Sequence, residues 1–308
     1  MADREQQDWL IIQFELAGSE LPQVESLLEA QGVLSISLKD AEDQPILEPL
    51  PDETPLWSRV VVNALFPSDA DPALIRTFLL EKTDTELLGW GFRGLEDRVW
   101  ERVWMDDFKP MQFGEKLWIV PSWSEPPEPE AVNLMLDPGL AFGTGTHPTT
   151  RLCLEWLDEH PPQGLEVIDY GCGSGILAIA ALKLGAVKAY GVDIDPQALI
   201  SSNENALRNG VPSEQLVLTE AKSLHAVDVL LANILSGPLV NLAPEFSRLV
   251  KPGGRLVLSG ILDDQAEDVM TACAPYFDDL QVVSLTGWCS ITGQRKCENQ
   301  GLGGQNVR

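Results

Sequence analysis

Residues 165–175 read Leu-Glu-Val-Ile-Asp-Tyr-Gly-Cys-Gly-Ser-Gly, and a helical pattern begins directly after them at Ile176. The short apolar run that ends at Asp169 predicts a buried strand, so the glycines lie in the turn between a strand and a helix. Glycine lets the backbone turn sharply and approach a ligand, and the helix N-terminus offers unpaired N–H groups. Because Ile176 occupies the place of the third glycine in Gly-x-Gly-x-x-Gly, the turn does not match a dinucleotide site.

The rest of the C-terminal two thirds of the chain alternates between helical and buried-strand patterns. Strands are predicted at 187–192, 227–231 and 255–259, and helices at 176–184 and 196–209. This alternation is typical of a mostly parallel sheet that is covered on both faces. We therefore expect an α/β fold, a doubly wound Rossmann-like domain.

Residues 8–112 predict a different and smaller unit. Two helices, one after Ser19 and one opened by Asp71-Pro72, alternate with extended segments in the order βαββαβ, which favours an α+β ferredoxin-like domain. The expected division is a small α+β domain at 1–98, a linker helix at 99–115, the larger α/β domain at 116–298 and a disordered tail at 299–308.

A second signal follows the second strand of the larger unit, where residues 191–196 read Gly-Val-Asp-Ile-Asp-Pro. Asp193 comes 22 residues after Gly171, close to the spacing of about 20 for a carboxylate that binds ribose hydroxyls. A ribose-binding acid beside a turn without pyrophosphate spacing favours a nucleoside without phosphates, such as S-adenosylmethionine. Asp193 could instead cap the next helix, although Asp195, which precedes Pro196, suits that role better.

Two further segments carry polar side chains to the predicted ligand edge. Asn233 ends the strand that begins at 227, where a side-chain carbonyl could accept a hydrogen bond from an amine; it could also only form a turn. Residues 137–150 form a shaped loop rich in glycine, in which Thr149 and Thr150 could cap a helix or contact a ligand. For His147 in this loop, a general base and a hydrogen-bonding role both remain open.

Composition limits the classes of partner. The 308 residues carry 21 basic and 47 acidic side chains, a net charge of −26, which argues against binding to nucleic acid. Residues 1–112 hold 23 of the acids and nine of the basic residues, as a docking module for a basic protein or a solvated surface would. Five cysteines without Cys-x-x-Cys spacing predict neither a zinc site nor a disulfide framework. Without a signal or membrane segment, we expect a cytoplasmic protein.

With these segments in view, the chain resembles the bacterial ribosomal protein L11 methyltransferases, which are class I S-adenosylmethionine-dependent enzymes. The resemblance covers nearly the whole chain. It includes residues 100–108 (Trp-Glu-Arg-Val-Trp-Met-Asp-Asp-Phe), residues 111–118 (Met-Gln-Phe-Gly-Glu-Lys-Leu-Trp) and the loop 137–150 (Asp-Pro-Gly-Leu-Ala-Phe-Gly-Thr-Gly-Thr-His-Pro-Thr-Thr). Methyltransferases in general share the glycine turn but not this loop.

The resemblance implies that Thr150, Gly171, Asp193 and Asn233 contact the cofactor, and Asp169 and Gly173 of the same turn complete the predicted set. It also implies a substrate, the basic ribosomal protein L11, whose lysine and N-terminal amines are methylated after the N-terminal domain has recognised it. We assign Asn233 to orient the amine. Methyl transfer from a sulfonium needs no metal, and we expect none. We also expect a monomer.

Three alternatives remain. A methyltransferase of the same fold could act on a small amine or on a release-factor amide, but residues 233–236 (Asn-Ile-Leu-Ser) lack the Asn-Pro-Pro-aromatic motif of release-factor enzymes. A dehydrogenase is disfavoured by the glycine spacing. A non-catalytic module that only binds the cofactor would present the acidic N-terminal part as an interaction surface.

Overall fold

The computed structural model describes residues 9–42, 56–95, 108–137 and 147–297. Contacts within the chain divide it into two compact units, Met1–Trp104 and Met105–Arg308. No helix in the described ranges is long and apolar enough to span a membrane.

The N-terminal unit is an antiparallel sheet with two helices. Its elements, in chain order, are β1 (Trp9–Ala17), α1 (Leu21–Ala30), β2 (Ser35–Asp40), β3 (Arg59–Pro67), α2 (Pro72–Lys82) and β4 (Leu88–Leu95). The strands are ordered β2-β3-β1-β4, and all three pairings are antiparallel. Every second side chain of β1 and β3 is buried because successive residues of a strand face opposite sides of the sheet. The two helices bury Val24, Leu28, Ile75 and Leu79 in the same core.

The larger unit is built on a seven-stranded sheet. Its elements are β5 (Met111–Phe113), β6 (Leu117–Val120), β7 (Val132–Met135), α3 (Pro148–Glu159), β8 (Glu166–Tyr170), α4 (Ile176–Lys183), β9 (Lys188–Val192), α5 (Pro196–Arg208), β10 (Leu216–Leu218), β11 (Val227–Asn233), α6 (Ser236–Leu249), β12 (Val250–Leu262), α7 (Ala266–Cys273), β13 (Phe277–Leu285) and β14 (Trp288–Arg295). The strand order is β10-β9-β8-β11-β12-β14-β13, while β5, β6 and β7 form a separate small sheet.

Both faces of the large sheet are covered. Neighbouring residues of one strand enter different cores: Val167 and Leu231 belong to one hydrophobic cluster, and Ile168 and Leu230 belong to the other. In the run β10-β9-β8-β11-β12, each strand is parallel to the next. The predicted mixed α/β architecture with a mostly parallel sheet is therefore confirmed. The antiparallel pair β13 and β14 extends it in a way that the sequence did not indicate.

One predicted element is wrong in part. The linker helix expected at 99–115 cannot include Met111–Phe113, which form β5 and pair with β6. Pro110 lacks the N–H group that a helix would need there, and Gly114, at φ +65°, makes the turn into β6. Residues 99–107 of that prediction and the predicted tail at 299–308 lie outside the described residues.

Candidate functional site

The glycine turn after β8 has a backbone shape that only glycine accepts easily. Gly171, Gly173 and Gly175 all have positive φ, at +78°, +52° and +78°. A Cβ atom on Gly171 would also lie 2.3 Å from Cγ2 of Ile234, far inside van der Waals contact. The N–H of Gly171 donates to the carbonyl of Val192 at the end of β9, with N and O 2.7 Å apart. The predicted turn therefore exists, and it is fastened to the neighbouring strand.

The side chain of Asp193 is fixed by two backbone groups. Its Oδ2 accepts a hydrogen bond from the N–H of Gly173, and its Oδ1 accepts one from the N–H of Asp195, each at 2.9 Å. Each carboxylate oxygen keeps a further lone pair for another donor, and the residue is only half-buried. Asp195 caps α5 by accepting from the N–H of Gln197. A carboxylate held in this way can present both oxygens to the two hydroxyls of a sugar.

Asp169 lies deeper than Asp193. It is 1% exposed, and its Oδ2 accepts a hydrogen bond from the N–H of Ala178, at 3.0 Å, in the first turn of α4. Burial raises the pKa of Asp169 to about 7; the charge of Asp193 adds to this rise, and the hydrogen bond from Ala178 opposes it. Among the predicted site residues, Asp169 is thus the one that joins the strand before the glycine turn to the helix after it.

Asn233 and Thr150 lie 83 positions apart in the sequence and are in contact in the structure. The Nδ2 group of Asn233, the last residue of β11, donates to Oγ1 of Thr150 at 3.3 Å. Thr150 is 2% exposed in the first turn of α3, whereas Asn233 is half-buried. Because this bond uses the amide N–H of Asn233, its carbonyl oxygen stays available to accept from another donor.

His147 is the N-cap residue of α3. Its Nδ1 lies 2.7 Å from Oγ1 of Thr149 and accepts from the N–H of Thr149 at 3.4 Å. Its ring packs edge-on against Trp288, with 4.7 Å between the centroids, and burial lowers the pKa of His147. Of the two roles left open by the sequence, this geometry supports the hydrogen-bonding role.

Two residues that sequence reasoning missed hold the glycine turn from the side of α5. Oγ of Ser202 donates to the carbonyl of Gly173, and Nδ2 of Asn205 donates to the carbonyl of Ser174, both at 2.9 Å. Ser202 is fully buried and Asn205 is 6% exposed. The sequence feature that could have identified them is their spacing: two polar residues three positions apart lie on the same face of a helix.

The carboxyl ends of β8, β9 and β11 thus bring together the glycine turn, Asp193 and Asn233, with Thr150 beside them. These features define an α/β protein with a candidate ligand site at the carboxyl edge of a mostly parallel sheet. Among the residues that the structure describes, no group of three or more His, Cys, Asp or Glu side chains could hold a metal ion.

The chain belongs to the ribosomal protein L11 methyltransferase family. The sequence model of that family, described as "Ribosomal protein L11 methyltransferase (PrmA)", matches residues 8–296. A ribosomal protein L11 methyltransferase of Pseudomonas putida (strain GB-1) is 53% identical over 290 residues, which cover 94% of this chain and 99% of the relative. One from Pseudomonas aeruginosa (strain LESB58) is 51% identical over 292 residues, with the same coverage.

A solved structure agrees with these relatives. The crystal structure of a ribosomal protein L11 methylase from Lactobacillus delbrueckii subsp. bulgaricus is 32% identical and superimposes with a TM-score of 0.57, covering 62% of this chain and 100% of that one. The expected family is therefore confirmed.

Proposed function

We propose that this chain is an S-adenosylmethionine-dependent protein methyltransferase whose substrate is ribosomal protein L11, modified at lysine side chains and at the N-terminal amine. The observation that carries the proposal is the match to relatives of that name over 94% of the chain. It is supported by a carboxyl edge whose groups suit an adenosyl ligand. We further propose that the protein acts in the cytoplasm as a monomer, without binding nucleic acid.

The groups at the edge fit the cofactor. Gly171 and Gly173 would let the backbone approach it, and the oriented carboxylate of Asp193 would accept from the ribose hydroxyls. Asp169 would support this arrangement from below the turn, and Thr150 and Asn233 would line its other side. When bound, S-adenosylmethionine supplies a methyl group on a positively charged sulfur.

The residues of the chain would act on the substrate amine by position and charge. A free lysine has a pKa near ~10.4, so the amine arrives protonated and must lose its proton before it can react. Partial desolvation at the edge disfavours the charged form and helps this loss. The carbonyl oxygen of Asn233 would then accept a hydrogen bond from the neutral amine and orient its lone pair, while Thr150 fixes the rotamer of Asn233.

We assign recognition of the substrate to the N-terminal part. The strand order β2-β3-β1-β4 with two helices supports a ferredoxin-like domain, for which we keep the boundaries 1–98. The methyltransferase domain is proposed at 116–298, with β5 added to it because that strand pairs with β6. Residues 99–107 are proposed as the linker.

The test is mass spectrometry of recombinant ribosomal protein L11 after incubation with the purified enzyme and S-adenosylmethionine. We expect mass increases in steps of one methyl group on lysine and N-terminal amines. Asn233→Ala should abolish most of the turnover even at saturating cofactor. If Asn233 only helped to bind the cofactor, saturating concentrations of S-adenosylmethionine would restore the turnover. Unmodified L11 together with methylation of a small amine or a release factor would overturn the assignment of the substrate.

A further inference from the structure

A groove of about 540 Å³ lies between α6 and α7. Its walls include polar side chains from both helices, among them Ser236, Asn241, Asp268 and Thr271, above the apolar contacts of Val240 and Ala272. A volume of this size is in the range that holds a ligand as large as a short peptide segment. None of the residues predicted to bind the cofactor lines it.

The groove begins next to the proposed reaction centre. Helices α6 and α7 follow β11 and β12, which are parallel neighbours, so both helices start at the carboxyl edge of the sheet. Ser236 comes three positions after Asn233, a chain distance of at most about 11 Å. A polypeptide that placed an amine at Asn233 could therefore continue directly into the groove.

The charge around the groove favours a cationic occupant. Asp263, Asp264, Glu267 and Asp268 are all exposed, and none of them takes part in an ion pair within the described ranges. Acids in the first turn also stabilise α7 through its dipole, but the N-terminus of a helix carries only about half a positive charge. Four carboxylates exceed that charge several times, so a negative potential remains at this wall.

We propose that the groove binds the segment of ribosomal protein L11 that flanks the target amine, with a basic side chain of that segment placed beside Asp268. This inference rests on the proposed function and adds a substrate subsite to it. The hydroxyl and amide groups of the walls can pair with the backbone of an extended segment. Gln265 contributes in the same way, since its Oε1 accepts from the N–H of Leu262 and its amide N–H groups stay available.

The test compares two substitutions in the same helical turn of the full-length enzyme. Asp268→Lys changes a residue of the groove wall, and Glu267→Lys makes the same change of charge at an exposed neighbour that does not line the groove. We expect Asp268→Lys to raise KM for L11 about 10-fold or more, a difference of about 1.4 kcal/mol. Glu267→Lys should change KM by less than about threefold, because Glu267 does not line the groove and can act on a bound segment only at longer range, through solvent that screens it.

A second, uncharged variant tests the space itself. Thr271→Trp, at an exposed position of α7, should fill the groove and raise KM for L11 by a similar factor, while the Kd for S-adenosylmethionine stays within about twofold of the wild type. If Thr271→Trp does not fold, Asp268→Asn tests the groove instead. It should raise KM for L11, by less than Asp268→Lys does. If the wild-type enzyme methylates L11 and Asp268→Lys and Glu267→Lys have equal KM values for L11, the proposal that the groove binds the substrate is wrong, while the proposed function stands. A wild-type enzyme that does not methylate L11 would overturn the proposed function first.

Discussion

Replacing Asp193 by asparagine tests the cofactor site most directly. The carboxylate accepts one N–H from Gly173 and one from Asp195, each at 2.9 Å. An asparagine has a single side-chain oxygen, so in either orientation its NH₂ group must face one of these two donors. The same substitution removes the charged acceptor that we propose for the sugar hydroxyls, and a hydrogen bond to a charged group contributes about 1.5–3 kcal/mol. We therefore expect the Kd for S-adenosylmethionine to rise about 10- to 100-fold.

The matched control is Asp195→Asn. It removes the same charge two residues away, and asparagine still caps α5 as well as aspartate does. Its Kd should stay within about threefold of the wild type. Isothermal titration with S-adenosylmethionine and with S-adenosylhomocysteine, which lacks the sulfonium charge, separates the two effects. An equal loss in both variants, or a loss only with the charged ligand, would show that Asp193 acts through its net charge and not by holding the sugar.

Three further predictions follow from the structure. The pKa of Asp169 is raised from 3.8 to about 7 in the folded state, so the folded protein binds this proton more tightly than the unfolded chain. As the pH rises from 5 to 8, the free energy of unfolding of the wild type should therefore fall by about 2–3 kcal/mol relative to that of Asp169→Asn, measured by urea unfolding. Gly114→Ala should cost more than about 2 kcal/mol because the new Cβ would lie 2.2 Å from Oδ2 of Asp158, whereas Gly210→Ala, at the same φ of +65° with open space around it, should cost about 1 kcal/mol. Asn205→Ala should weaken the binding of S-adenosylmethionine by about 10-fold through the glycine turn, and a Kd equal to the wild-type value would exclude that role.

The parts of the site that the sequence predicted are those in which local chain chemistry decides the structure. Three glycines in five residues, between an apolar strand and a helix, allow one kind of turn, and all three have the positive φ that such a turn requires. The position of Asp193 could be predicted because the carboxyl ends of neighbouring parallel strands meet at one edge. The contact between Asn233 and Thr150 could not be predicted in this way, because Thr150 lies in the first turn of α3 and nothing local indicates a contact across 83 residues.

The parts that the sequence did not predict depend on long-range contacts. Strand β5 has only three residues, and its pairing with β6 outweighs the helical pattern around it. Strand β13 buries little beyond Phe277, so the alternation that indicates a strand is absent from its sequence. The roles of Ser202 and Asn205 depend on the carbonyls that happen to face them, and helix propensity carries no information about those carbonyls.

Helix α5 links the parts of the site more closely than any single motif indicates. It starts three residues after Asp193, and its Ser202 and Asn205 hold the glycine turn. Directly after its last residue, the side chain of Asn209 accepts from the N–H of Met135 and donates to the carbonyl of the same residue, both at 2.7 Å, which fastens the end of β7. Because these polar contacts are made by α5 and by the residues next to its two ends, a shift of α5 would move the carboxylate of Asp193, the glycine turn and β7 together. Substitutions in α5 should therefore change cofactor affinity even where their side chains are far from the cofactor.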